Sequence, residues 1–310
     1  MWTMELVLGV DAGGTGSRAV LVRLLDAVVL GRGSGGPGNP VVSPGAAHEV
    51  GRAAREALAG HDPRAVAGAV LGVAGTSVLA EPAVSAAFAA EWAALGLVVP
   101  VLPVGDVVTA FAAGSAADSG AVLIAGTGAI AAHVARGRIA RTVDGWGWLL
   151  GDEGSGFWIG RRAVRAAVRD PASPLAATVF AHSGVSTVDD LVRRVTRTPA
   201  VLAGLAPLVC TLARDGEPTA VRIVGDAADR LVATLDGLGA PEASGAPDGP
   251  VVLAGSLLTR DTPVRDAVCT VLGGRGVRPR IAGDPALAAA WLAAQSLVAD
   301  PVALHGALLS

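Results

Sequence analysis

Two glycine-rich turns hold the first residues of this chain that could do chemistry. Gly13-Gly14-Thr15-Gly16 and Gly126-Thr127-Gly128 each join two apolar, strand-like runs. Glycines let backbone N–H groups approach phosphate oxygens, and the threonine hydroxyl adds a further donor. Two such turns facing each other could hold a triphosphate from both sides. Either turn alone is equally typical of a β-hairpin, so the hypothesis of a nucleotide-phosphate site depends on the pair.

Two aspartates follow predicted strands. Asp11 comes directly after the apolar run 5–10 and leads into the first glycine turn. A carboxylate there suits Mg²⁺, bound directly or through water, as the metal bridges phosphates; a structural role in capping the turn is the alternative. Asp106 ends one strand and opens a helix, at the edge of a sheet where α/β sites form. It could also be the N-cap of that helix.

The elements that must position these residues alternate between strands and helices, which is typical of an α/β architecture. Residues 5–116 are predicted as βββαβαβα. The pattern then restarts at strand 121–125, again with a Gly-Thr-Gly turn, and this predicts a duplicated domain. Further along the chain we predict mostly helices over 156–236, a strand at 251–254 and a last helix at 285–299.

The composition excludes several kinds of function. The 310 residues contain 24 arginines, no lysine and 27 acidic side chains, so the net charge is −3. A chain without lysine cannot form a Walker-type phosphate loop or a lysine Schiff base. The near-neutral charge argues against nucleic acid as a partner. Polar residues, glycine or proline interrupt the apolar stretches and the N-terminus lacks a basic segment, so we predict a cytoplasmic protein without membrane spans or a signal peptide.

A longer motif carries a resemblance to a known family. The segments 9–15 and 126–128, and especially GWGWLLGDEGSGFWIG at 145–160, resemble the N-acetylglucosamine kinase branch of the BadF/BadG/BcrA/BcrD ATPase family. The resemblance covers nearly the whole chain in order. It implies an α/β fold with two duplicated ribonuclease H-like (actin-like ATPase) lobes and a cleft between them. We place the lobes at residues 1–118, joined by about 295–310, and at 119–294.

The resemblance implies a kinase that uses ATP and Mg²⁺ to phosphorylate the 6-hydroxyl of an amino sugar, most simply N-acetylglucosamine. Asp106 matches the carboxylate that accepts the proton of the attacking hydroxyl. Thr15 and Thr127 match phosphate contacts. Asn39 and Asp152 match ligands of sugar hydroxyls. The remaining matches are the wall near the 2-substituent, formed by Gly145, Trp146 and Gly147, and positions near the adenosine, which are Ala203 and Gly255 with the adjacent Ser256.

One residue departs from the family pattern. Asp144 stands before Gly145, where the resemblance implies a small residue, often glycine. A carboxylate there could change what the pocket for the 2-substituent accepts, and an amino group would suit it. Glucosamine or another amino sugar is therefore an alternative substrate, although a solvent-facing aspartate is a simpler explanation. Glu153 is expected to have a structural role.

Two functions of other classes remain open at this stage. One is an ATPase activator of a CoA-ester dehydratase or reductase, which needs cysteines for an iron–sulfur cluster. Cys210 and Cys269 argue against it, because both lie in apolar helix-like runs where we expect inert core residues. The other is a non-catalytic sugar sensor, but Asp11 and Asp106 are both present. As partners we expect a small-molecule amino sugar and, from the resemblance, a second copy in a homodimer.

Overall fold

The computed structural model describes residues 5–239 and 249–309. Contacts between Cα atoms divide these residues into two compact units. The first unit comprises the described residues up to Asp118, the segment Val134–Ile139 and the residues from Ala282 onwards. The second comprises the described residues of Ser119–His133 and Ala140–Ile281. The domain boundaries expected at 118/119 and 294/295 stay a prediction.

The described strands form two five-stranded sheets. The strands are β1 (Leu6–Ala12), β2 (Ser17–Arg23), β3 (Val28–Gly35), β4 (Val66–Val73), β5 (Val101–Gly105), β6 (Ser119–Ala125), β7 (Ala129–Ala135), β8 (Arg138–Asp144), β9 (Val251–Ala254) and β10 (Arg280–Ile281).

The two sheets have the same strand order. In the first sheet the order is β3-β2-β1-β4-β5, and in the second it is β8-β7-β6-β9-β10. β1 pairs antiparallel with β2 and parallel with β4, and β6 pairs parallel with β9. The second sheet thus repeats the first, which confirms the predicted duplication.

Helices account for most of the rest of the described chain. They are α1 (Ala46–Ala57), α2 (Pro82–Ala94), α3 (Asp106–Ala112), α4 (Gly156–Arg169), α5 (Pro174–Ser183), α6 (Val188–Arg197), α7 (Val201–Gly204), α8 (Ala206–Arg214), α9 (Pro218–Asp236), α10 (Ser256–Thr259), α11 (Pro263–Gly274), α12 (Pro285–Ala294) and α13 (Pro301–Leu309). The helix expected at 285–299 ends at Ala294, and a separate helix begins at Pro301. The Asp300 carboxylate accepts a hydrogen bond from the Ala303 N–H at 2.9 Å, as a capping residue does.

The central strand of the first sheet, β1, is buried on both of its faces. Leu8 and Val10 of β1 belong to a core cluster with residues of α1 and α2. Val7 belongs to a second cluster, which contains residues of α3, α12 and α13. The sheet therefore fixes the end of β1, where Asp11 leads into the glycine turn.

Helix α1 crosses β3 closely, because alternate residues of that strand are glycines. A side chain on Gly31, Gly33 or Gly35 would collide with the backbone of α1. This close approach brings Glu49 of α1 next to Gly36, directly after β3. The Glu49 Oε2 atom accepts a hydrogen bond from the Gly36 N–H at 2.6 Å.

The second unit has a core of its own between its sheet and the surrounding helices. Leu123 of β6, Ile159 of α4 and Leu231 of α9 are fully buried there. Cys210 is also buried, in agreement with the prediction, whereas Cys269 is half-buried at the margin of the core. Both cysteines are free.

In the part of the chain that the structure describes, no single helix is long and apolar enough to cross a membrane. The segments Val188–Arg197 and Val201–Arg214 reach the required length and composition only when they are combined, and they are bent by 115° relative to each other.

Candidate functional site

The first glycine turn lies between β1 and β2, as the sequence predicts, and it is linked to the loop that carries Asn39. The Gly13 N–H donates to the Gly16 carbonyl at 3.0 Å, which closes the turn. The Gly38 N–H donates to the Gly13 carbonyl at 2.9 Å. Thr15 is exposed at the tip of the turn. The first unit therefore brings the predicted phosphate contacts next to a predicted sugar ligand.

Asn39 is held by its own turn. Its Oδ1 atom accepts a hydrogen bond from the Val41 N–H at 2.9 Å, and its carbonyl accepts one from the Ser43 N–H at 3.0 Å. The side-chain amide nitrogen has no hydrogen-bond partner among the described residues. It is therefore a donor that a ligand hydroxyl could use.

Two further residues, which the sequence analysis did not identify, hold this loop in place. The Ser17 Oγ atom is buried and donates to the Gly36 carbonyl at 3.0 Å. Glu49 accepts from the N–H of the same residue. Hydrogen bonds thus hold both the N–H group and the carbonyl group of Gly36. No sequence signal points to Ser17 or Glu49, because 13 to 19 residues separate them from Gly36. The pairing of β2 with β3 brings Ser17 to Gly36, and the packing of α1 on β3 brings Glu49 there.

Asp11 and Asp106 both belong to the first unit, and their charges interact. Burial and, next, the negative charge of Asp106 raise the pKa of Asp11 to about 7, while Arg18 opposes this shift. Burial also raises the pKa of Asp106, against the hydrogen bond that its Oδ1 atom accepts from the Val107 N–H at 3.0 Å. Gly105 is the N-cap of α3, and Asp106 is the first residue of the helix. The alternative that Asp106 is the N-cap is therefore wrong.

The second glycine turn is anchored to the beginning of α4. The Gly126 N–H donates to the Gly128 carbonyl at 2.9 Å. The Gly126 and Thr127 carbonyls accept hydrogen bonds from the N–H groups of Gly156 and Phe157, at 2.8 and 3.1 Å. The Thr127 side chain is left exposed. These bonds hold the carbonyl side of the turn and leave its hydroxyl free for a ligand.

The positions expected near an adenosine lie around this second turn. A Cβ atom on Gly126 would be 3.7 Å from the N and Oγ atoms of Ser256, and one on Gly156 would be 3.6 Å from the Ala203 carbonyl. Gly255 has a φ of 81°, and a side chain there would collide with the Ala125 carbonyl, so only glycine suits this position. The second unit thus brings all three predicted positions together.

Asp152 lies beside the same turn. It is 8% exposed, and its Oδ1 atom accepts a hydrogen bond from the Ala129 N–H at 3.1 Å. Burial and, to a smaller extent, the charge of Asp144 raise its pKa. Glu153 points elsewhere, since its carboxylate lies 3.6 Å from Arg161 and 3.8 Å from Arg230. These ion pairs agree with the structural role expected for Glu153.

The loop between β8 and Asp152 exposes an apolar surface. Trp146 is 72% exposed, and Leu149 and Leu150 are exposed to a similar degree. Trp148 is fixed instead, because its ring stacks on Phe157 with the centroids 5.9 Å apart. Trp158 lies in the core and is 6% exposed. Gly145 and Gly147 flank Trp146, and both have a φ of 80°.

Asp11 gives the first unit a carboxylate that could bind a hard cation held mainly by nucleotide phosphates. In residues 5–239 and 249–309, no group of three or more His, Cys, Asp or Glu side chains is arranged to bind a metal ion. Asp11 nevertheless offers a half-buried carboxylate whose raised pKa a nearby cation would lower. A side chain on Gly14 would meet no atom within 4 Å, so the turn beside Asp11 is open on that side.

These repeated sheets, each with a glycine turn after its first strand, define an actin-like ATPase fold. A model of the BadF/BadG/BcrA/BcrD ATPase family matches residues 8–290, and the chain belongs to this family. The expected family and fold are thus confirmed.

Individual relatives agree with this result. The chain is 28% identical over 243 residues to an N-acetylmuramic acid/N-acetylglucosamine kinase from Clostridium acetobutylicum. The alignment covers 74% of this chain and 77% of the relative. A solved structure from Chromobacterium violaceum, assigned as an N-acetylglucosamine kinase, is 27% identical, has a TM-score of 0.70 and covers 94% of this chain and 99% of its own. A glucokinase of the ROK family from Streptomyces griseus shares the fold, with a TM-score of 0.59 and 22% identity over 94% of this chain and 99% of its own. The comparisons support the enzyme class that the sequence predicts, an ATP-dependent sugar kinase.

Proposed function

We propose that this protein transfers the γ-phosphoryl group of ATP to the 6-hydroxyl of N-acetylglucosamine. The observation that carries the proposal is the hydrogen bond from the Gly38 N–H to the Gly13 carbonyl. It ties the loop of a predicted sugar ligand, Asn39, to a predicted phosphate turn, in the unit that also holds Asp106. Phosphoryl transfer depends mainly on positioning and charge neutralisation, and these are the properties that such a link provides.

Asp106 is the proposed general base. In its ionised form the carboxylate accepts the proton of the 6-hydroxyl while the sugar oxygen bonds to the γ-phosphorus and the bond from that phosphorus to the bridging oxygen of ADP breaks. Burial removes water that would compete for the carboxylate. Its raised pKa makes it a stronger base than an exposed aspartate.

The two glycine turns are the proposed phosphate contacts. The backbone N–H groups of Gly14 and Gly16 in the first unit, and that of Gly128 in the second, are the proposed donors to phosphate oxygens, while the N–H groups of Gly13 and Gly126 close the two turns. The hydroxyls of Thr15 and Thr127 have no partner in the described part of the chain and would add two donors. Mg²⁺, when bound, neutralises charge on the phosphates, and Asp11 would hold it directly or through water. Ala203, Gly255 and Ser256 would contact the adenosine.

The sugar contacts favour an acetylated amine. We assign hydroxyl contacts to Asn39 and Asp152, and the wall beside the 2-substituent to Gly145, Trp146 and Gly147. The exposed side chains of this loop are apolar, which suits an acetyl methyl group better than an ammonium group. Asp144 could have attracted an ammonium group, but both of its carboxylate oxygens accept backbone hydrogen bonds.

N-acetylmuramic acid differs from N-acetylglucosamine by a lactyl group whose carboxylate would need a cationic partner. In the first unit, Asn39 lies close to Gly75. The segments 36–45 and 74–81 around these two residues contain neither arginine nor lysine. We therefore expect N-acetylglucosamine to be the better substrate of the two.

The test is a comparison of kcat/KM at saturating Mg-ATP for N-acetylglucosamine, glucosamine, N-acetylmuramic acid and glucose. We expect N-acetylglucosamine to exceed each of the others by roughly tenfold or more, because a lost or mismatched contact in such a pocket costs about 1–3 kcal/mol. A higher value for glucosamine would refute the acetyl assignment. If no sugar stimulates ATP turnover, the proposed function is wrong.

A further inference from the structure

Asp144, the residue that departs from the family pattern, has a specific place in the structure. Its backbone is left-handed, with a φ of 67°. Its Oδ1 atom accepts hydrogen bonds from the Gly145 N–H at 2.8 Å and the Asp152 N–H at 2.7 Å. Its Oδ2 atom accepts one from the Glu153 N–H at 2.8 Å. One carboxylate therefore joins the two ends of the loop 145–153.

The loop has few other means of keeping its shape. Gly145, Gly147 and Asp152 all have positive φ values, and no regular secondary structure spans the segment. The other backbone hydrogen bonds recorded inside it run from the N–H groups of Leu150 and Gly151 to the Gly147 carbonyl. Arg161 also donates to the Trp148 carbonyl at 3.2 Å, and the Trp148 ring stacks on Phe157. Hydrogen bonds to a charged carboxylate are among the stronger ones in proteins, so Asp144 is a strong constraint on the two ends of the loop.

The neighbouring sequence leaves space for this carboxylate. A side chain on Gly151 would occupy the place of the Asp144 Oδ1 atom. Aspartate itself is one of the few residues other than glycine that readily adopt a left-handed backbone. Asp144 can therefore replace the glycine expected here without losing the backbone conformation, and it adds three acceptor contacts.

The contacts of Asp144 continue to the proposed sugar and phosphate residues. Asp144 holds the backbone N–H of Asp152, and the side chain of Asp152 accepts from the Ala129 N–H, one residue after the second glycine turn. We propose that Asp144 is a positioning residue, whose carboxylate fixes the Trp146 loop and the backbone of Asp152 for sugar binding. This inference rests on the proposed function, because it takes Asp152 and the loop as sugar contacts.

The test compares Asp144→Gly, which keeps the left-handed backbone, with Asp144→Asn, which keeps one acceptor oxygen. Asp229→Asn is the matched control, because Asp229 is exposed in the same unit and the same charge is removed. For each variant we would measure the KM for N-acetylglucosamine, the KM for ATP, and backbone hydrogen exchange of the segment 145–153.

Asp144→Gly should raise the KM for the sugar roughly tenfold or more, as expected for the loss of charge-assisted hydrogen bonds, and should speed exchange of the Asp152 and Glu153 amides. The KM for the sugar and the exchange rates of Asp144→Asn should lie between those of Asp144→Gly and the wild type. The KM for ATP should stay within about twofold, and Asp229→Asn should behave as the wild type.

An Asp144→Gly variant with wild-type sugar KM would overturn the inference, whether or not exchange becomes faster. Equal increases in the KM values for sugar and ATP would also overturn it, because they would indicate a general loss of structure. If the wild type phosphorylates no sugar, the proposed function fails, and the inference fails with it. Only a sugar-specific defect in an otherwise active kinase supports it.

Discussion

At the scale of single residues, Asp106 has the features that a general base needs. It lies at the end of β5, at the beginning of α3, where the sheet fixes its position. Burial raises its pKa, and a base whose pKa is closer to the working pH accepts a proton more readily. Its Oδ1 atom accepts the Val107 N–H, and its Oδ2 atom is available to accept a proton.

We predict that Asp106→Asn lowers kcat by roughly 10²–10⁴-fold, the range expected for loss of a general base. Sugar and nucleotide affinity, measured by calorimetry, should stay close to the wild-type values because the substitution preserves the size of the side chain. The wild-type rate should fall on acidification, beginning above the ordinary aspartate range, since burial raises the pKa of Asp106. A variant that keeps its kcat would exclude Asp106 as the base.

Asp11 shows a conflict between stability and function. Its pKa is raised to about 7 in the folded protein from an ordinary value of 3.8. Between these two values the folded state holds a proton that the unfolded state has lost, so stability decreases as the pH rises through this window. Ionised Asp11 is therefore unfavourable to the fold until a cation neutralises it.

Without Mg²⁺ or nucleotide, Asp11→Asn should increase the free energy of unfolding at pH 8, by up to about 4 kcal/mol from the size of the pKa shift. The gain should become small near pH 4 and vanish below it, where Asp11 is neutral in both the folded and the unfolded state. Thermal and urea unfolding across this pH range would measure it. Asp26→Asn is the control, because Arg23 lowers the pKa of Asp26 and no such gain is expected. A gain that is equal at both pH values would contradict the account.

At the scale of elements, α1 positions the loop that precedes it. The glycines of β3 let α1 pack closely, and Glu49 then accepts the Gly36 N–H. Arg52 also contacts Glu49, with 2.9 Å between its Nη2 atom and the carboxylate. The hydrogen bond from Gly36 and, next, the one from Arg52 lower the pKa of Glu49, so the carboxylate stays ionised in neutral solution.

Glu49→Ala should therefore raise the KM for N-acetylglucosamine roughly 3- to 10-fold, because the loop that carries Asn39 loses one charge-assisted hydrogen bond. The KM for ATP should change less. Arg52→Ala is a matched control: it removes the ion pair but keeps the bond from the Gly36 N–H. Steady-state kinetics of the two variants would decide the matter, and equal effects would show that the ion pair, not the loop contact, is important.

The sequence predicts the elements better than it predicts the contacts between them. Alternating side chains and glycine turns reveal the strands on both sides of each turn, and the repeated pattern reveals the duplication. Helix α13 is missed, although Asp300 and Pro301 mark its beginning in the sequence as Asp284 and Pro285 mark that of α12.

The same reasoning explains which parts of the site can be anticipated. Asp11, Asp106 and the two turns are visible because strand ends and glycines mark them locally. The roles of Ser17 and Glu49 depend on contacts across 13 to 19 residues of sequence. Asp144 is visible as an unusual residue, but its hydrogen bonds to residues eight and nine positions later require the loop to fold back.

At the scale of the whole molecule, the repeated sheets place one glycine turn in each of the two units. The first unit also holds Asp11, Asp106 and Asn39, while the second holds Asp152 and the positions proposed for adenosine. The homodimer and the cytoplasmic location stay predictions from the sequence.

The most direct test of the central claim is ADP formation by the wild-type protein at saturating Mg-ATP, with and without N-acetylglucosamine, together with mass spectrometry and ³¹P NMR of the product. We predict strong stimulation by N-acetylglucosamine, a 6-phosphorylated product, and no stimulation by the 6-deoxy analogue, which lacks the attacking hydroxyl. Phosphorylation at another hydroxyl would contradict the assigned geometry. ATP turnover that does not respond to any sugar would contradict the assignment as a sugar kinase.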